Sequence, residues 1–135
     1  MLRLTERVYA EIVGQVYDGL PDEACGLLGG DPRAAKATVF YPCENLAHSS
    51  RVYTVAPKDH LLAERDAEAK GLEILGVMHS HTHTDAYPSP TDRAEAPDPT
   101  WHYVIVSLRQ DAPVLRSYRI IDGLVTEEAV ALEPR

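Results

Sequence analysis

The 135-residue sequence is poor in cysteine and aromatic residues and has no excess of positive charge. It contains 2 Cys, 1 Trp and 1 Phe, and 13 Lys and Arg face 21 Asp and Glu, which gives a formal net charge of -8. A protein that binds a phosphate backbone normally carries a basic patch, so this balance disfavours nucleic acid as a partner. Cys25 and Cys43 stand outside any Cys-x-x-Cys unit, which excludes thiolate zinc fingers and thioredoxin-like chemistry.

Long apolar segments are also missing. The longest apolar runs, such as residues 74–78, are far shorter than the roughly 20 residues needed to cross a bilayer, so no membrane-spanning helix is expected. The first residues alternate in charge and contain no apolar signal segment, which predicts a cytoplasmic protein. A disulfide is not expected in that reducing compartment. The length predicts one domain over residues 1–135.

What the sequence does contain is a succession of helical and extended patterns. Apolar residues recur every four positions over residues 4–18, which predicts an amphipathic helix, and a Pro and a Gly bound a second predicted helix over residues 57–70. Hairpins at both ends of the chain, with helix-connected strands between them, predict an α/β fold with a mixed β-sheet. The predicted strands are residues 24–29, 37–41, 51–55, 73–81, 101–108, 114–121 and 124–132.

The sharpest local signal is His79-Ser80-His81, at the end of a predicted strand. Side chains at i and i+2 of a strand leave the same face about 7 Å apart, so two imidazoles there can bind one metal ion. Ser89 and Asp92 follow, in the pattern His-Ser-His-x7-Ser-x2-Asp. Asp92, one turn into a helix, could complete a catalytic site with an open position for water. Alternatively, Ser89 is a plain helix N-cap and Asp92 an acidic residue favoured by the helix dipole.

Glu23 is the candidate general base. A carboxylate beside an apolar strand would be costly to bury without a function, although an exposed residue at the start of the strand is the alternative. Cys25 could line the same site or bind metal, but a small buried hydrophobe is the commoner role of such a cysteine. His83 continues the histidine pattern and could compete as a ligand. Tyr53 is interpreted as a packing residue and is not assigned to the site.

Together, these residues resemble the complete signature of the JAMM, or MPN-plus, zinc metallopeptidases. The resemblance covers nearly the whole chain and extends to residues 23–30, 51–53 and 73–77. It implies a cytidine-deaminase-like α/β fold, in which a mixed sheet is flanked by helices. One departure from the family pattern is Thr82, which stands where most members have Pro.

The resemblance also implies a role for each residue of the signature. One Zn²⁺ per chain would be bound by His79, His81 and Asp92. Glu23 would be the general acid/base, and Ser89 would donate a hydrogen bond to the tetrahedral oxyanion.

The activity implied by the resemblance is hydrolysis of amide or isopeptide bonds at the C-termini of ubiquitin-like proteins. Because the chain lacks the insertions that grip ubiquitin, it is similar to the minimal bacterial members, the Mec-type CysO-cysteine peptidases of cysteine biosynthesis. The expected partner is a ubiquitin-like sulfur-carrier protein that ends in Gly-Gly, and a homodimer is left open. The alternatives are a broader deconjugating isopeptidase and a non-catalytic MPN scaffold.

Overall fold

The computed structural model describes residues 1–135 and contains three helices and eight strands. The helices are α1 (Glu6–Asp18), α2 (Pro57–Ala69) and α3 (Pro90–Ala94). The strands are β1 (Leu2–Thr5), β2 (Cys25–Asp31), β3 (Lys36–Cys43), β4 (Glu73–His81), β5 (His102–Ser107), β6 (Val114–Ile121), β7 (Leu124–Glu128) and β8 (Val130–Glu133). None of the three helices has the length and apolar character needed to span a bilayer.

All eight strands belong to one sheet, in the order β7-β6-β5-β4-β2-β3-β1-β8. The pairs β4–β5, β1–β3 and β1–β8 are parallel, and the remaining four pairs are antiparallel. The predicted α/β fold with a mixed sheet is therefore confirmed. β4 lies in the middle, between β2 and β5, and all of its residues from Leu75 to His81 are buried. Its central place explains the apolar run over residues 74–78.

Helices α1 and α2 cover opposite faces of this sheet. α1 belongs to a buried cluster that contains Leu28 and Met78, whereas α2 belongs to a second cluster that contains the neighbouring residues Leu27 and Val77. Consecutive residues of a strand point to opposite faces, so β2 and β4 supply side chains to both layers. Each fully buried aliphatic side chain of these layers contributes about 1.5–3 kcal/mol.

The predicted helix over residues 4–18 is wrong at its start. β1 occupies residues 2–5, and the helix begins at Glu6 because the Thr5 hydroxyl caps it, accepting a hydrogen bond from the Val8 N–H at 3.1 Å. Leu2 and Leu4 are both fully buried and stand two positions apart, which is the spacing of a strand. The predicted helix wrongly included Leu4 because this residue lies four positions before Val8 and so also fits the helical spacing.

The predicted strand over residues 124–132 is two strands. The chain leaves β7 at one end of the sheet order and, after the single residue Ala129, enters β8 at the other end. One residue can join the two edge strands only if the sheet curves until its edges approach each other. The α1 cluster includes side chains from every strand between β8 and β6 in the sheet order.

The predicted strand over residues 51–55 does not form. This segment makes only an isolated bridge between Asn45 and Val55. The predicted helical start at Ser89 is confirmed, since α3 begins directly after it.

Candidate metal and catalytic site

The C-terminal end of β4 carries two histidines on one face of the sheet. His79 and His81 are 2% and 4% exposed, and their Nε2 atoms lie 3.1 Å apart. The strand geometry predicted this convergence, because side chains at i and i+2 leave a strand on the same side.

Asp92 reaches the two histidines from the first turn of α3. Its Oδ2 atom lies 3.1 Å from the Nε2 atom of His79 and 3.1 Å from that of His81. The same oxygen accepts a hydrogen bond from the backbone N–H of Ser89 at 2.9 Å. In return, the Ser89 hydroxyl oxygen accepts from the backbone N–H of Asp92 at 3.0 Å. This reciprocal capping box fixes the Asp92 carboxylate relative to the helix and so aims it at β4.

The three side chains form a group that could bind a metal ion. Tetrahedral zinc, with bonds of about 2.0–2.1 Å, separates its ligand atoms by about 3.3 Å. The three atoms of this group lie 3.1 Å apart in every pair. Two imidazoles and one carboxylate are also ligands that zinc commonly takes. The residues present therefore fit a zinc ion.

Burial and mutual hydrogen bonds shift the pKa values of the cluster. Burial lowers the pKa of His79. Burial alone would raise the pKa of Asp92, but the hydrogen bonds with His79 and His81 outweigh it and lower this pKa well below its usual range. Burial would lower the pKa of His81, yet its hydrogen bonds to Asp92 and to the Asp85 carbonyl raise it. A neutral His79 and an ionised Asp92 are in the forms that bind metal.

Glu23 lies beside the cluster because β2 is tied to β4. Ser80, between the two histidines, points the other way: its Oγ accepts from the Ala24 N–H at 2.8 Å, and its own N–H donates to the Ala24 carbonyl at 3.0 Å. With Ala24 opposite Ser80, the antiparallel register sets Glu23 opposite His81.

The Glu23 carboxyl group is buried without a hydrogen-bond partner on Oε1. The residue is 4% exposed. Burial raises its pKa from the usual 4.5 to about 7; His81 opposes this shift and Asp92 adds to it, both more weakly. A carboxyl group with a pKa near neutrality is suited to accept and return a proton.

Two residues considered as ligands from the sequence lie outside the metal-binding group. His83 is exposed and contributes no atom to it. Cys25 is buried, and its thiol lies near the carbonyls of Cys43 and Glu44. Burial raises the pKa of Cys25 to about 12, so the group stays protonated, as expected of a small buried hydrophobe.

Sequence reasoning missed Tyr53 and Asn45. The Tyr53 ring stacks on the His79 ring, with centroids 4.2 Å apart and planes 15° apart. Asn45 is 8% exposed and hydrogen-bonds the backbone of residues 23, 47, 52 and 54. The Asn45 side chain bridges segments far apart in sequence, so no local pattern could have revealed it.

A cavity of about 420 Å³ opens beside the cluster, between α2, α3 and the segment that carries Tyr53. Tyr53 and Asp92 form the wall that it shares with the cluster. Its apolar lining includes Leu27, Val77 and Trp101. An extended peptide segment therefore has a place to bind next to the three candidate ligands.

Comparison with known families matches residues 5–121 to the model described as prokaryotic homologs of the JAB domain. The chain belongs to this family. It has a JAB/MPN fold and is a hydrolase of the JAB/JAMM type, as the sequence resemblance implied. The scaffold alternative is therefore not supported.

Two curated relatives carry names of enzymes. The CysO-cysteine peptidase of Mycobacterium tuberculosis is 42% identical over 111 residues, which are 82% of this chain and 76% of that protein. The desampylase of Haloferax volcanii is 38% identical over 88 residues, covering 64% of this chain and 63% of that protein.

Solved structures agree with this fold. A protein from Desulfitobacterium hafniense superposes with a TM-score of 0.92 at 36% identity, covering 100% of this JAB-family chain and 94% of that one. A JAB1/MPN domain protein from Archaeoglobus fulgidus superposes with a TM-score of 0.63 at 15% identity, over 98% of both chains. The second likeness concerns the fold alone.

Proposed function

We propose that this JAB-family chain is a zinc peptidase that acts at the C-terminus of a ubiquitin-like sulfur-carrier protein. In the proposed reaction, water cleaves the amide bond between a terminal glycine and an attached cysteine. The observation that carries the proposal is the convergence of three ligand atoms, 3.1 Å apart, beside the buried Glu23 carboxyl. The relative named CysO-cysteine peptidase supports the choice of substrate.

His79, His81 and Asp92 are the proposed zinc ligands. When bound, zinc supplies a Lewis acid and lowers the pKa of water from 15.7 to about 7. The three side chains are held before any metal arrives, because β4 fixes the histidines and the capping box fixes Asp92. Such preorganisation reduces the ordering that binding would otherwise require.

Glu23 is the proposed general acid/base. Its carboxylate accepts a proton from the attacking water and then delivers it to the leaving amine as the C–N bond breaks, which yields a free carboxyl terminus and free cysteine. Proton transfer of this kind contributes about 10²- to 10⁴-fold to the rate. Its burial and the missing partner on Oε1 leave the carboxyl free for this exchange.

Ser89 is the proposed donor to the oxyanion that develops on the carbonyl oxygen. Its hydroxyl oxygen already accepts from the Asp92 N–H, but the hydroxyl proton has no acceptor in the structure. One hydroxyl group can accept and donate at the same time. Capping and oxyanion binding are therefore compatible roles of the same side chain.

The cavity of about 420 Å³ is the proposed site of the carrier's extended Gly-Gly tail. Glycines have no side chains, so such a tail can approach the Tyr53 and Asp92 wall closely. A second candidate function is broader cleavage of isopeptide conjugates of ubiquitin-like proteins. The relative named desampylase favours this alternative.

The test uses the zinc-loaded protein and two substrates read by intact mass: a carrier with a C-terminal cysteine, and the same carrier joined to a lysine side chain. The proposal predicts faster loss of cysteine, and the broader function predicts comparable rates on both. Cleavage of neither substrate would reject both functions.

Two ligand variants and one control variant test the metal site in parallel. His79→Ala and Asp92→Ala should lose the single bound zinc, whereas His83→Ala, with its exposed side chain, should keep it. Zinc loss only in His83→Ala would show that the ligand assignment is wrong.

A further inference from the structure

We infer that Tyr53 is a positioning residue for the metal site, and that its ring sets the orientation of the His79 imidazole. The inference rests on the proposed zinc site. It starts from a difference between the two histidines of that site.

The second ring nitrogen of each histidine has a different environment. His81 Nδ1 lies 2.7 Å from the backbone carbonyl oxygen of Asp85, a partner that fixes both the tautomer and the plane of the ring. His79 Nδ1 is buried and has no hydrogen-bond partner. Metal-binding histidines almost always use this second nitrogen for an orienting hydrogen bond. Its Nε2 atom contacts Asp92 and His81, so on the Nδ1 side something other than a hydrogen bond must hold the His79 ring.

Aromatic contacts hold the His79 ring instead of a hydrogen bond on Nδ1. The Tyr53 ring covers one face of the His79 ring at a centroid distance of 4.2 Å and an angle of 15°. The His81 ring meets the same imidazole edge-on, at 4.9 Å and 63°. Rotation of His79 about its χ2 angle would turn a ring edge into the face of Tyr53. The stack thus restricts the imidazole to the plane in which Nε2 points at Asp92.

Tyr53 can act in this way because its backbone is held although it belongs to no strand. The buried Asn45 side chain donates from Nδ2 to the Val52 carbonyl at 3.1 Å, and its Oδ1 accepts from the Thr54 N–H at 2.9 Å. Both neighbours of Tyr53 are therefore fixed by one amide. The same Nδ2 donates to the Glu23 carbonyl at 2.9 Å, so the candidate base and the stacked tyrosine share one brace.

The test replaces the tyrosine and measures zinc binding directly. Tyr53→Leu and Tyr53→Met remove the flat ring but keep an apolar side chain, whereas Tyr53→Phe keeps the ring and removes only the hydroxyl. Loss of a group that orients a ligand typically weakens metal binding about 10- to 100-fold. We expect a loss in that range for the Leu and Met variants, and affinity within about threefold of wild type for the Phe variant.

Affinity is measured by competition for Zn²⁺ with a chromophoric chelator, and folding by circular dichroism of the metal-free proteins. Two variants serve as controls: Tyr17→Leu, on the exposed side of α1, should bind zinc normally, and His79→Ala should not. The use of two apolar replacements keeps the test decisive if one of them fails to fold.

The outcomes separate the two ideas. If wild type binds no zinc, or His79→Ala binds it as tightly as wild type, the proposed metal site is wrong. If both controls behave as expected and a folded Leu or Met variant keeps wild-type affinity, the positioning role of Tyr53 is overturned while the site stands. A Phe variant as weak as the Leu variant would assign the effect to the hydroxyl and would also overturn the stacking argument.

Discussion

Replacing Glu23 with Gln should remove a pH-dependent loss of stability from the metal-free protein. Burial favours the protonated carboxyl, which raises the pKa of Glu23 from 4.5 to about 7. The folded protein therefore holds this proton more tightly than the unfolded chain does. The resulting stability is fully present below about pH 4.5 and is lost as the pH rises through about 7. Glutamine is neutral at every pH and of nearly the same shape.

The size of the effect follows from the pKa difference. The shift from 4.5 to about 7 corresponds, at 1.36 kcal/mol per unit, to about 3 kcal/mol over the whole titration. Between pH 5 and pH 8, most of this range is crossed, so about 2–3 kcal/mol should be lost. That is a large part of the total stability of about 5–15 kcal/mol typical of a domain.

Urea unfolding in the presence of a chelator, at pH 5 and pH 8, measures this loss. Wild type should lose about 2–3 kcal/mol more than Glu23→Gln between the two pH values, because the variant lacks the buried carboxyl whose desolvation is the largest cause of the shift. Glu68→Gln, at an exposed position of α2, is the matched control and should follow wild type. If wild type and Glu23→Gln lose equal stability between pH 5 and pH 8, the burial argument is refuted.

Three further substitutions test single contacts. Ser89→Ala should cost about 1 kcal/mol of stability, because the Asp92 N–H loses its capping acceptor. If the hydroxyl binds the oxyanion, the same variant should also lower kcat about 10²- to 10³-fold. A loss of stability with a normal kcat would leave only the capping role. Ser80→Ala should cost about 1–3 kcal/mol in urea unfolding, because it leaves the buried Ala24 N–H without an acceptor, and an unchanged midpoint would contradict this. Cys25→Ala should keep its turnover, because the proposed reaction uses no thiol; a folded, zinc-loaded variant without activity would show otherwise.

The parts of the fold that local patterns determine were predictable. β4 was recognised as a central strand because burial on both faces makes its sequence apolar, and α2 was recognised from the Pro that begins it and the Gly that follows. β1 and β8 were not separated from their neighbours, since their identity comes from pairing with each other across the whole length of the chain. Pairing of that kind leaves no local signal.

The candidate site divides in the same way. The convergence of His79, His81 and Asp92 was predicted, because each position follows from the geometry of its own strand or helix. The zinc ligation and the roles of Glu23 and Ser89 stay predictions until they are measured. The contact between Tyr53 and His79 was not predictable, since it depends on how an irregular segment lies over a strand residue that stands 26 positions later in the sequence.

The spacing of the signature can be explained by backbone geometry alone. One residue separates the histidines because side chains on the same face of a strand recur every two positions. The residue between them, Ser80, points to the opposite face and binds the segment that carries Glu23. The two residues between Ser89 and Asp92 are the distance from an N-cap to the third helical position, at which the two residues can cap each other. The seven residues after His81 span from the end of β4 to that cap, and on the way the Asp85 carbonyl orients the His81 ring. A change of one residue in either short spacing would move a ligand to the wrong face of its strand or helix, so the pattern specifies the geometry of the site rather than only its composition.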